Sequence, residues 1–466
     1  MSGVFFPTPS LRNMACVLVD TLLVFSSLLL ALWMRFNESI SPIAGYEGVY
    51  PKIAAILLVT LLCLYYNDLY ADIAPRDRID LVRRLASSFI TAGFLLVLLY
   101  YAFPYFTLGR GLFLIHFPLA MAALMVWRGL YYRALRHDAL VENVVILGTG
   151  RAAKEIALEM LQRKHEGYRI LGFVGDDPSL VGQRLVNPSV IGTFEDLPQL
   201  IERNGVSTVV VALEDRRGKL PLADLLRCRL EKGVRVEEAS SFYETLTGQI
   251  PVRSLRPSWL IFSRGFSKSR LLLNSKRAID FFAALIGLIL SLPVMAVAAV
   301  LIWLDSGQPI LYRQERVGEK GKPFVLNKLR TMKPDAEEET GPVWAAANGD
   351  PRVTRVGRFL RNTRIDELPQ LFNVLKGEMS FVGPRPERPG FVKTLQEKIP
   401  YYNERHSVKP GVTGWAQVKF GYGSSVEEAE AKLRYELYYI KHMNLLLDWM
   451  ILVDTAKVIL FGRGAR

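Results

Sequence analysis

Cysteine and histidine are scarce in this sequence, which has three cysteines and five histidines among 466 residues. Cys16 and Cys63 lie within apolar segments and Cys228 lies in a polar stretch, so no disulfide framework or zinc site is predicted. A metal site in this chain would therefore use carboxylates, which suit a hard ion. The chain is also too long for one core, and two or three domains are expected.

A nucleic-acid-binding motif is also missing, although the chain is strongly basic, with a formal net charge of +13 at pH 7. No zinc-finger spacing, helix-turn-helix pattern or aromatic RNA-binding motif accompanies this charge, so no nucleic-acid partner is predicted. The hydrophobic residues make up 50% of the chain, and the mean hydropathy is +0.18. This combination indicates a membrane protein whose basic cytoplasmic parts face anionic lipid headgroups or phosphorylated substrates.

Four apolar segments are long enough to span a lipid bilayer, at residues 14–34, 51–67, 86–106 and 111–128. No small-residue cleavage site follows the first segment, which predicts a retained anchor. Arginines are concentrated between the second and third segments and after the fourth. The positive-inside rule then places the N-terminus, the second connection and everything after the fourth helix in the cytoplasm. Asp20 lies within the first segment, and because no second charge is expected near it we interpret it as a polar contact between helices.

From residue 141 the sequence has the pattern of a soluble α/β domain. Gly148 and Gly150 form a glycine turn after a strand, and Asp176 and Asp177 follow the next strand, as in a dinucleotide-binding fingerprint. The third glycine of that fingerprint is replaced by Ala153, so the prediction of a cofactor site at Gly148 and Gly150 is weak. Strand-like runs alternate with helical segments and predict a Rossmann-like parallel sheet, at 144–147, 170–174, 208–212 and about 234–236.

This layout allows an alternative function, that of a membrane-anchored NAD-dependent nucleotide-sugar dehydratase or epimerase. Such short-chain enzymes use a Tyr-x-x-x-Lys pair for proton transfer, and the sequence contains no such spacing. We therefore expect this domain to have a structural or regulatory role.

A fifth apolar run covers residues 278–303 and contains Ser291 and Pro293 near its middle. Basic residues flank it at 276–277 and at 313–316, and the positive-inside rule then places both of its ends in the cytoplasm. Pro293 lacks a backbone donor and bends a helix, and Ser291 is placed to bond a carbonyl freed by the bend. These features predict a re-entrant hairpin of helix; the alternative is a kinked transmembrane helix.

The most informative stretch is 361–370, in which the adjacent carboxylates Asp366 and Glu367 stand among basic residues. Apolar residues between Leu368 and Leu375 recur at helical spacing, and Pro369 is tolerated only in a first turn. The carboxylates are therefore expected at a helix start, where backbone N–H groups and the helix dipole favour phosphate. Such a pair is alternatively a plain helix cap. Together with arginines and membrane segments, it indicates a metal-bridged diphosphate as substrate.

Six blocks of the sequence together resemble the bacterial sugar transferases, the monotopic polyprenyl-phosphate glycosyl-1-phosphate transferases. The resemblance covers 276–466, and the parts before it are similar to those of large members that start exopolysaccharide or O-antigen repeat units. The segment 248–260 further resembles the exosortase-associated branch. Ser291 and Pro293 are not adjacent here, as they are in many members. The blocks, in chain order, are 276–281, Ser291 to Pro293, 328–332, 366–373, 379–386 and 409–418.

The resemblance implies a two-step reaction on a UDP-sugar. Asp366 attacks the sugar-linked phosphorus, UMP leaves, and a polyprenyl phosphate such as undecaprenyl phosphate takes the sugar phosphate from the aspartyl intermediate. Glu367 is then the expected ligand of Mg²⁺. The resemblance further implies a homodimer in the bacterial cytoplasmic (inner) membrane, with its catalytic domain on the cytoplasmic face. The candidate phosphate-binding and substrate-binding residues are Arg361, Arg364, Lys328, Arg330, Pro384, Arg385 and Pro386.

The expected fold class is thus α/β plus membrane helices, with a mostly α catalytic domain. Galactose, glucose and an acetamido sugar are all compatible with the sequence. The expected parts are a four-helix transmembrane region (1–137), a Rossmann-like domain (138–250), a linker (251–275) and the catalytic domain (276–466) with its re-entrant helix at about 278–303.

Overall fold

A computed structural model describes residues 11–36, 48–67, 69–70, 78–107, 110–135, 141–162, 168–213, 221–255, 257–333, 336, 352–420 and 425–461. The chain divides into two compact units, Met1–Ala239 and Ser240–Arg466.

The first unit begins with helices that are long and apolar enough to cross a membrane. They are α1 (Leu11–Phe36), α2 (Val49–Tyr66), α3 (Arg78–Ala102) and α4 (Arg110–Leu135). Helix α3 differs from the predicted segment 86–106, because it begins eight residues earlier and ends at Ala102. Its polar first turns are stabilised by Asp80, which pairs with Arg83 and Arg84 at 2.7 and 3.0 Å. Pro104 disfavours helix at the residue before it, and only a short 3₁₀ turn follows.

An ion pair joins α1 to α4 inside this helical region. Arg128 Nη2 lies 2.6 Å from Asp20 Oδ2, and both side chains are almost fully buried. The Arg128 guanidinium also lies 5.1 Å from the centroid of the Tyr70 ring. The predicted polar contact between helices is therefore present. The expectation that no second charge lies near Asp20 is wrong, because Arg128 is 108 residues away in the chain but adjacent in the fold.

The second part of this unit is a five-stranded sheet in which every pairing is parallel, with the order β3-β2-β1-β4-β5. The central strands β1 and β4 are valine-rich and buried, as parallel strands covered on both faces require. Strand β3 was not predicted, because it has only four residues and contains Gly192. The strands are β1 (Glu142–Leu147), β2 (Tyr168–Gly175), β3 (Val190–Thr193), β4 (Thr208–Val211) and β5 (Arg235–Glu238), and the helices are α5 (Arg151–Gln162), α6 (Leu197–Asn204) and α7 (Leu222–Glu231).

The second unit is mostly helical, with a β6–β7 hairpin and a small parallel pair, β8 and β9. Its largest core lies around α15, where Leu433, Leu437 and Tyr439 are buried. The strands are β6 (Leu311–Val317), β7 (Pro323–Leu329), β8 (Ser380–Val382) and β9 (Gly411–Thr413). The helices are α8 (Ala239–Thr247), α9 (Pro257–Phe262), α10 (Arg270–Ser306), α11 (Arg355–Asn362), α12 (Gln370–Lys376), α13 (Pro389–Lys398), α14 (Trp415–Lys419), α15 (Val426–His442) and α16 (Leu445–Phe461).

Part of the expected linker, residues 251–275, is packed against this core. Val252, Leu255 and Trp259 are buried in the same apolar cluster as the residues of α15. Lys441 Nζ lies 4.2 Å from the centroid of the Trp259 ring. These three apolar residues thus belong to the same core as α15.

The apolar run predicted to form a hairpin is one continuous helix of 37 residues, α10, with Pro293 inside it. The Ser291 hydroxyl donates to the Leu288 carbonyl at 3.1 Å. The carbonyl that Pro293 leaves without its usual donor is that of Ile289, four residues before the proline. Ser291 therefore bonds the carbonyl next to the freed one, and not the freed carbonyl that we expected.

Both ends of α10 are bonded to the rest of the second unit. Near its start, Arg277 donates to the carbonyls of Val374 and Leu375, each at 2.6 Å. Asp280 Oδ1 accepts from the Phe381 backbone N–H at 3.2 Å. At its end, Arg330 caps the helix by donating, at 2.7–2.9 Å, to the carbonyls of Ser306, Gly307 and Gln308. Two arginines therefore attach the two ends of this helix to elements that flank Asp366 and Glu367.

Candidate active site

Asp366 and Glu367 lie in a 3₁₀ turn between α11 and α12. The turn follows Arg364, which adopts a left-handed conformation with φ of 59° and separates the turn from α11. Helix α12 begins only at Gln370, with Pro369 as its N-cap. The expectation that the carboxylates occupy the first turn of an α-helix is therefore wrong by about one turn. Neighbouring side chains, rather than the helix dipole, surround them with positive charge.

Three basic groups surround a single oxygen of Glu367. Its Oε1 lies 3.1 Å from Arg385 Nη2, 3.4 Å from Arg364 Nη1 and 3.6 Å from Lys328 Nζ. Burial by itself would raise the pKa of Glu367, but the three cations outweigh it and lower the pKa to about 2. Glu367 is therefore ionised at any pH at which the protein would work.

Asp366 is buried, with 7% of its surface exposed, and its Oδ1 has no hydrogen-bond partner among the described residues. Burial raises the pKa of Asp366, and the adjacent charge of Glu367 adds to the rise, while Lys328, Arg361 and Arg364 oppose it. Two neighbouring carboxylates are thus driven apart in pKa by their surroundings. A buried carboxylate oxygen without a donor is a stronger nucleophile than one that is fully hydrogen-bonded.

Two of the predicted phosphate-binding arginines have other contacts in the fold. Arg361 Nε donates to Thr331 Oγ1 at 2.8 Å, which fixes the last turn of α11. Helix α11 lies so close to Thr331 that a Cβ on Gly357 would be 2.1 Å from its carbonyl oxygen. Arg330 does not join the basic groups at Glu367, because its terminal nitrogens cap α10. Lys328, Arg364 and Arg385 are the predicted residues that lie at Glu367, and the charge of Arg361 also acts on Asp366.

The loop of Pro384, Arg385 and Pro386 is held by residues that the sequence analysis missed. Arg405 Nη2 donates to the Arg385 carbonyl at 2.7 Å, and Arg316 Nη1 donates to the Pro386 carbonyl at 3.0 Å. Arg405 is in turn bonded to Glu436 on α15. A signal for this pair was present, because Glu436, like Glu430, is a charged residue that recurs at helical spacing among the apolar residues Leu433 and Leu437 of α15.

The predicted glycine turn lies at the end of β1, before α5. Gly148 has a φ of 126°, and a Cβ there would be 2.7 Å from the Ala212 carbonyl oxygen. Its N–H donates to Val174 O at 2.7 Å. Asp177, one of the acids expected to contact a nucleotide, accepts from the Ser179 N–H at 2.9 Å, and these bonds to Ser179 lower the pKa of Asp177. The Gly148 N–H thus bonds the end of β1 to β2, and Asp177 caps the 3₁₀ turn that follows β2.

Comparison with known families matches the two units to different models. A bacterial sugar transferase model matches residues 271–462, and a CoA-binding domain model matches residues 66–219. A Bacillus subtilis protein named putative undecaprenyl-phosphate N-acetylgalactosaminyl 1-phosphate transferase is 59% identical over 28% of this chain and 72% of its own length. The chain belongs to the bacterial sugar transferase family.

Two further relatives show how far the similarity in this family extends. The Xanthomonas campestris UDP-glucose:undecaprenyl-phosphate glucose-1-phosphate transferase is 30% identical over 74% of this chain and 72% of its own length. The Aeromonas hydrophila UDP-N-acetylgalactosamine-undecaprenyl-phosphate N-acetylgalactosaminephosphotransferase is 42% identical over 52% of this chain. In that case the chain spans only 56% of the relative's length. The family model itself matches only the second unit, over residues 271–462.

The carboxylate pair is compatible with a hard divalent ion. Among the described residues there is no group of three or more His, Cys, Asp or Glu side chains placed to hold a metal. Mg²⁺ does not need such a group, because it commonly binds one or two carboxylates together with water and substrate phosphates. The unpartnered Oδ1 of Asp366, next to the carboxylate of Glu367, fits that kind of donor set.

Proposed function

We propose that this protein transfers a sugar 1-phosphate from a UDP-sugar to a polyprenyl phosphate, such as undecaprenyl phosphate, in the bacterial cytoplasmic (inner) membrane. The product would start an exopolysaccharide or O-antigen repeat unit. The observation that carries the proposal is the pair of carboxylates: Asp366 is buried with one oxygen lacking a partner among the described residues, and Glu367 lies beside three cations. The names of the relatives support the same chemistry.

The reaction proceeds in two displacements at one phosphorus atom. An oxygen of the Asp366 carboxylate forms a bond to the sugar-linked phosphorus, and the bond from that phosphorus to the bridging oxygen breaks. UMP leaves with the electron pair of the broken bond. A phosphate oxygen of the polyprenyl phosphate then attacks the same phosphorus, and the bond to Asp366 breaks, which restores the carboxylate and forms the polyprenyl-diphosphate sugar.

The cations around Glu367 are placed to bind the diphosphate. Three basic groups face one carboxylate oxygen, so positive charge is in excess at the place where Asp366 needs an anionic substrate. Arginine guanidinium groups bind phosphoryl oxygens in a bidentate manner, and a preorganised cluster stabilises the charge that moves to the leaving UMP. Lys328 supplies a compact charge at the same point.

Asp366 and Glu367 are the residues that would hold Mg²⁺. When bound, the ion would neutralise part of the diphosphate charge. Glu367 is suited to this role because its pKa of about 2 keeps it ionised.

The bonds at both ends of α10 support a re-entrant topology. The stretch from Asp280 to Asp305 would extend about 37 Å as a straight α-helix, which exceeds the hydrocarbon core of about 30 Å. If α10 crossed the bilayer, its ends would lie on opposite sides. Yet Asp280 accepts from Phe381 and Asp305 accepts from the Val356 N–H at 3.3 Å, and both donors belong to one unit. These bonds support the proposal that both ends of α10 lie on one side of the bilayer. The basic residues at 276–277 and 313–316 favour the cytoplasmic side for both ends, and Asp366 would lie on that side too.

Cysteine labelling tests this topology. Arg264 and Lys320 are both exposed, the first before α10 in the chain and the second after it, and each would be replaced by cysteine. In a background without the native cysteines, both should react with a membrane-impermeant maleimide only when the cytoplasmic face is accessible. Labelling of position 320 from the opposite face would contradict the proposal. In Pro293→Leu, α10 should span the membrane in a fraction of the molecules. Position 320 of those molecules should then be labelled from the opposite face.

Release of UMP tests the reaction itself. The purified full-length protein would be incubated with UDP-glucose, UDP-galactose, UDP-N-acetylglucosamine and UDP-N-acetylgalactosamine, with and without undecaprenyl phosphate. We expect sustained UMP release with one of these sugars and the lipid, and about one UMP per protein without it, because the aspartyl intermediate accumulates. Absence of UMP release with every sugar would refute the transfer reaction. Strict dependence on added NAD would favour the dehydratase alternative.

A further inference from the structure

The loop that carries Arg385 is fixed through its backbone by groups from outside the loop. Pro384 and Pro386 have no N–H group, so the loop has few donors with which to stabilise its own conformation. Four successive carbonyls, from 384 to 387, are each bonded to a different donor. The donors, in that order, are Gly411 N (2.9 Å), Arg405 Nη2 (2.7 Å), Arg316 Nη1 (3.0 Å) and Val317 N (2.9 Å).

Arg405 uses every nitrogen of its guanidinium group in these contacts. Nε and Nη2 donate to the two carboxylate oxygens of Glu436 at 2.8 and 2.7 Å, and Nη1 donates to Tyr402 Oη at 2.8 Å. Arg405 and Glu436 are each only 4% exposed. Burying an ion pair costs about as much desolvation free energy as the attraction returns, so stability alone is a weak reason for this pair.

We propose that Arg405, held in place by Glu436, is a positioning residue for Arg385. It fixes the peptide of Arg385, so that the guanidinium of Arg385 stays 3.1 Å from Glu367 and meets the diphosphate of the sugar nucleotide. This inference rests on the proposed transferase function. Lysine cannot replace Arg405 in this role, because a single ammonium group lacks the planar fork that bonds Glu436, Tyr402 and the Arg385 carbonyl together.

Arg316 is a second arginine that holds the backbone of the same loop. It donates to the Pro386 carbonyl and lies 3.6 Å from Glu387, while its Nε is buried without a partner among the described residues. Two arginines from different elements thus hold neighbouring peptides of one loop. The backbone of the loop is therefore held without using the Arg385 guanidinium. That group is the part of Arg385 that would contact substrate.

A double-mutant cycle tests the proposal. Arg405→Lys, Arg385→Ala and the double variant would be made in the full-length protein, and kcat and KM for the UDP-sugar measured from UMP release. Arg405→Lys should lower kcat/KM by about 30- to 100-fold when Arg385 is present, as expected for a misplaced binding group. In the Arg385→Ala background the same change should have an effect of less than about threefold, since its target is gone.

The matched control is Glu244→Gln. Glu244 is also buried and also pairs with α15, through Lys441 at 2.6 Å, but it makes no bond to the Arg385 loop. It should lower the melting temperature and leave kcat/KM within about twofold of the wild type. If Arg405→Lys does not fold, Tyr402→Phe carries the same cycle, because it removes one acceptor of Arg405 without changing any charge.

The outcomes separate the two levels of the argument. A loss in kcat/KM that depends on Arg385 supports the positioning role. Equal losses with and without Arg385, or a lower melting temperature with unchanged kinetics, would overturn it. Failure of the proposed function would show in the wild type, which would then release no UMP with any UDP-sugar.

Discussion

The turn of Asp366 and Glu367 and the glycine turn after β1 both carry a ligand-binding pattern in sequence, but they differ in how their polar groups are satisfied. Glu367 Oε1 has three basic groups at 3.1 to 3.6 Å, and Asp366 Oδ1 has no partner among the described residues. At the glycine turn, the Gly148 N–H donates to Val174 O, and after β2 Asp177 accepts from the Ser179 N–H. The first turn thus has a buried carboxylate oxygen that accepts no hydrogen bond from the described residues, whereas in the second the Gly148 N–H bonds a neighbouring strand.

The difference shows which observation points to chemistry. Buried polar atoms are nearly always hydrogen-bonded, so a buried carboxylate oxygen without a donor needs an explanation. Carboxylates with pKa values shifted in opposite directions in one turn are typical of a working site. A glycine fingerprint, in contrast, is also produced by the close approach of two strands, as at Gly148 and Ala212.

The largest expected effect is that of Asp366→Asn, which removes the proposed nucleophile. UMP release should fall by more than about a thousandfold, roughly 4 kcal/mol in barrier. The same variant should melt at a higher temperature. The folded-state pKa of Asp366 is raised, so its ionised form costs stability once the pH exceeds the ordinary pKa, and an amide avoids that cost. Activity within about tenfold of the wild type would exclude the covalent mechanism.

Glu367→Gln should also be nearly inactive, but its effect on stability should have the opposite sign. The pKa of Glu367 is lowered to about 2, so its carboxylate contributes stability above its ordinary pKa of 4.5, and this stability is lost as the pH falls toward 2. The amide leaves three cations together without their counter-charge. The melting temperature at pH 7 should therefore fall. A rise in melting temperature like that of Asp366→Asn would show that the pKa values of the two carboxylates are not shifted in opposite directions.

The pH dependence of kcat/KM should show one acidic limb, which belongs to Asp366. Protonation abolishes its nucleophilicity, and its pKa lies above the ordinary 3.8, while Glu367 remains ionised down to about pH 2. Lys328→Met removes a cation that opposes the rise, so the limb should move to higher pH. A limb that stays in place or moves to lower pH in this variant would show that Lys328 does not lower the pKa of Asp366.

The smallest effect on activity is expected from Gly148→Ala. The added Cβ would meet the Ala212 carbonyl at 2.7 Å and would require a φ of 126°, so the sheet should be destabilised. UMP release per folded protein should stay within about twofold of the wild type. Gly182→Ala is the matched control, because it has a φ of 85° but no atom within 4 Å of the new Cβ. A specific loss of UMP release in Gly148→Ala would give the sheet a role in the reaction.

Several features of this protein follow from the sequence alone, because they depend on local patterns. The apolar runs of the membrane helices and the valine-rich strands β1 and β4 are continuous in the chain, so hydropathy reveals them. Pro369 and Gly377 mark the limits of α12, because each restricts the backbone at its own position. The adjacent carboxylates among arginines likewise indicate a phosphate site, because all of these charges lie within one short stretch of the chain.

Only the tertiary structure decided which charges meet. Asp20 and Arg128 are 108 residues apart, and Arg405 and Glu436 are 31 apart, so no periodicity relates them. Arg330 and Lys328 are basic residues of the same short segment, and the sequence predicts the same role for both. In the fold, Arg330 caps α10 whereas Lys328 lies beside Glu367. The physical reason is that the position of a charged side chain depends on which elements pack around it, and packing joins residues that are distant in sequence.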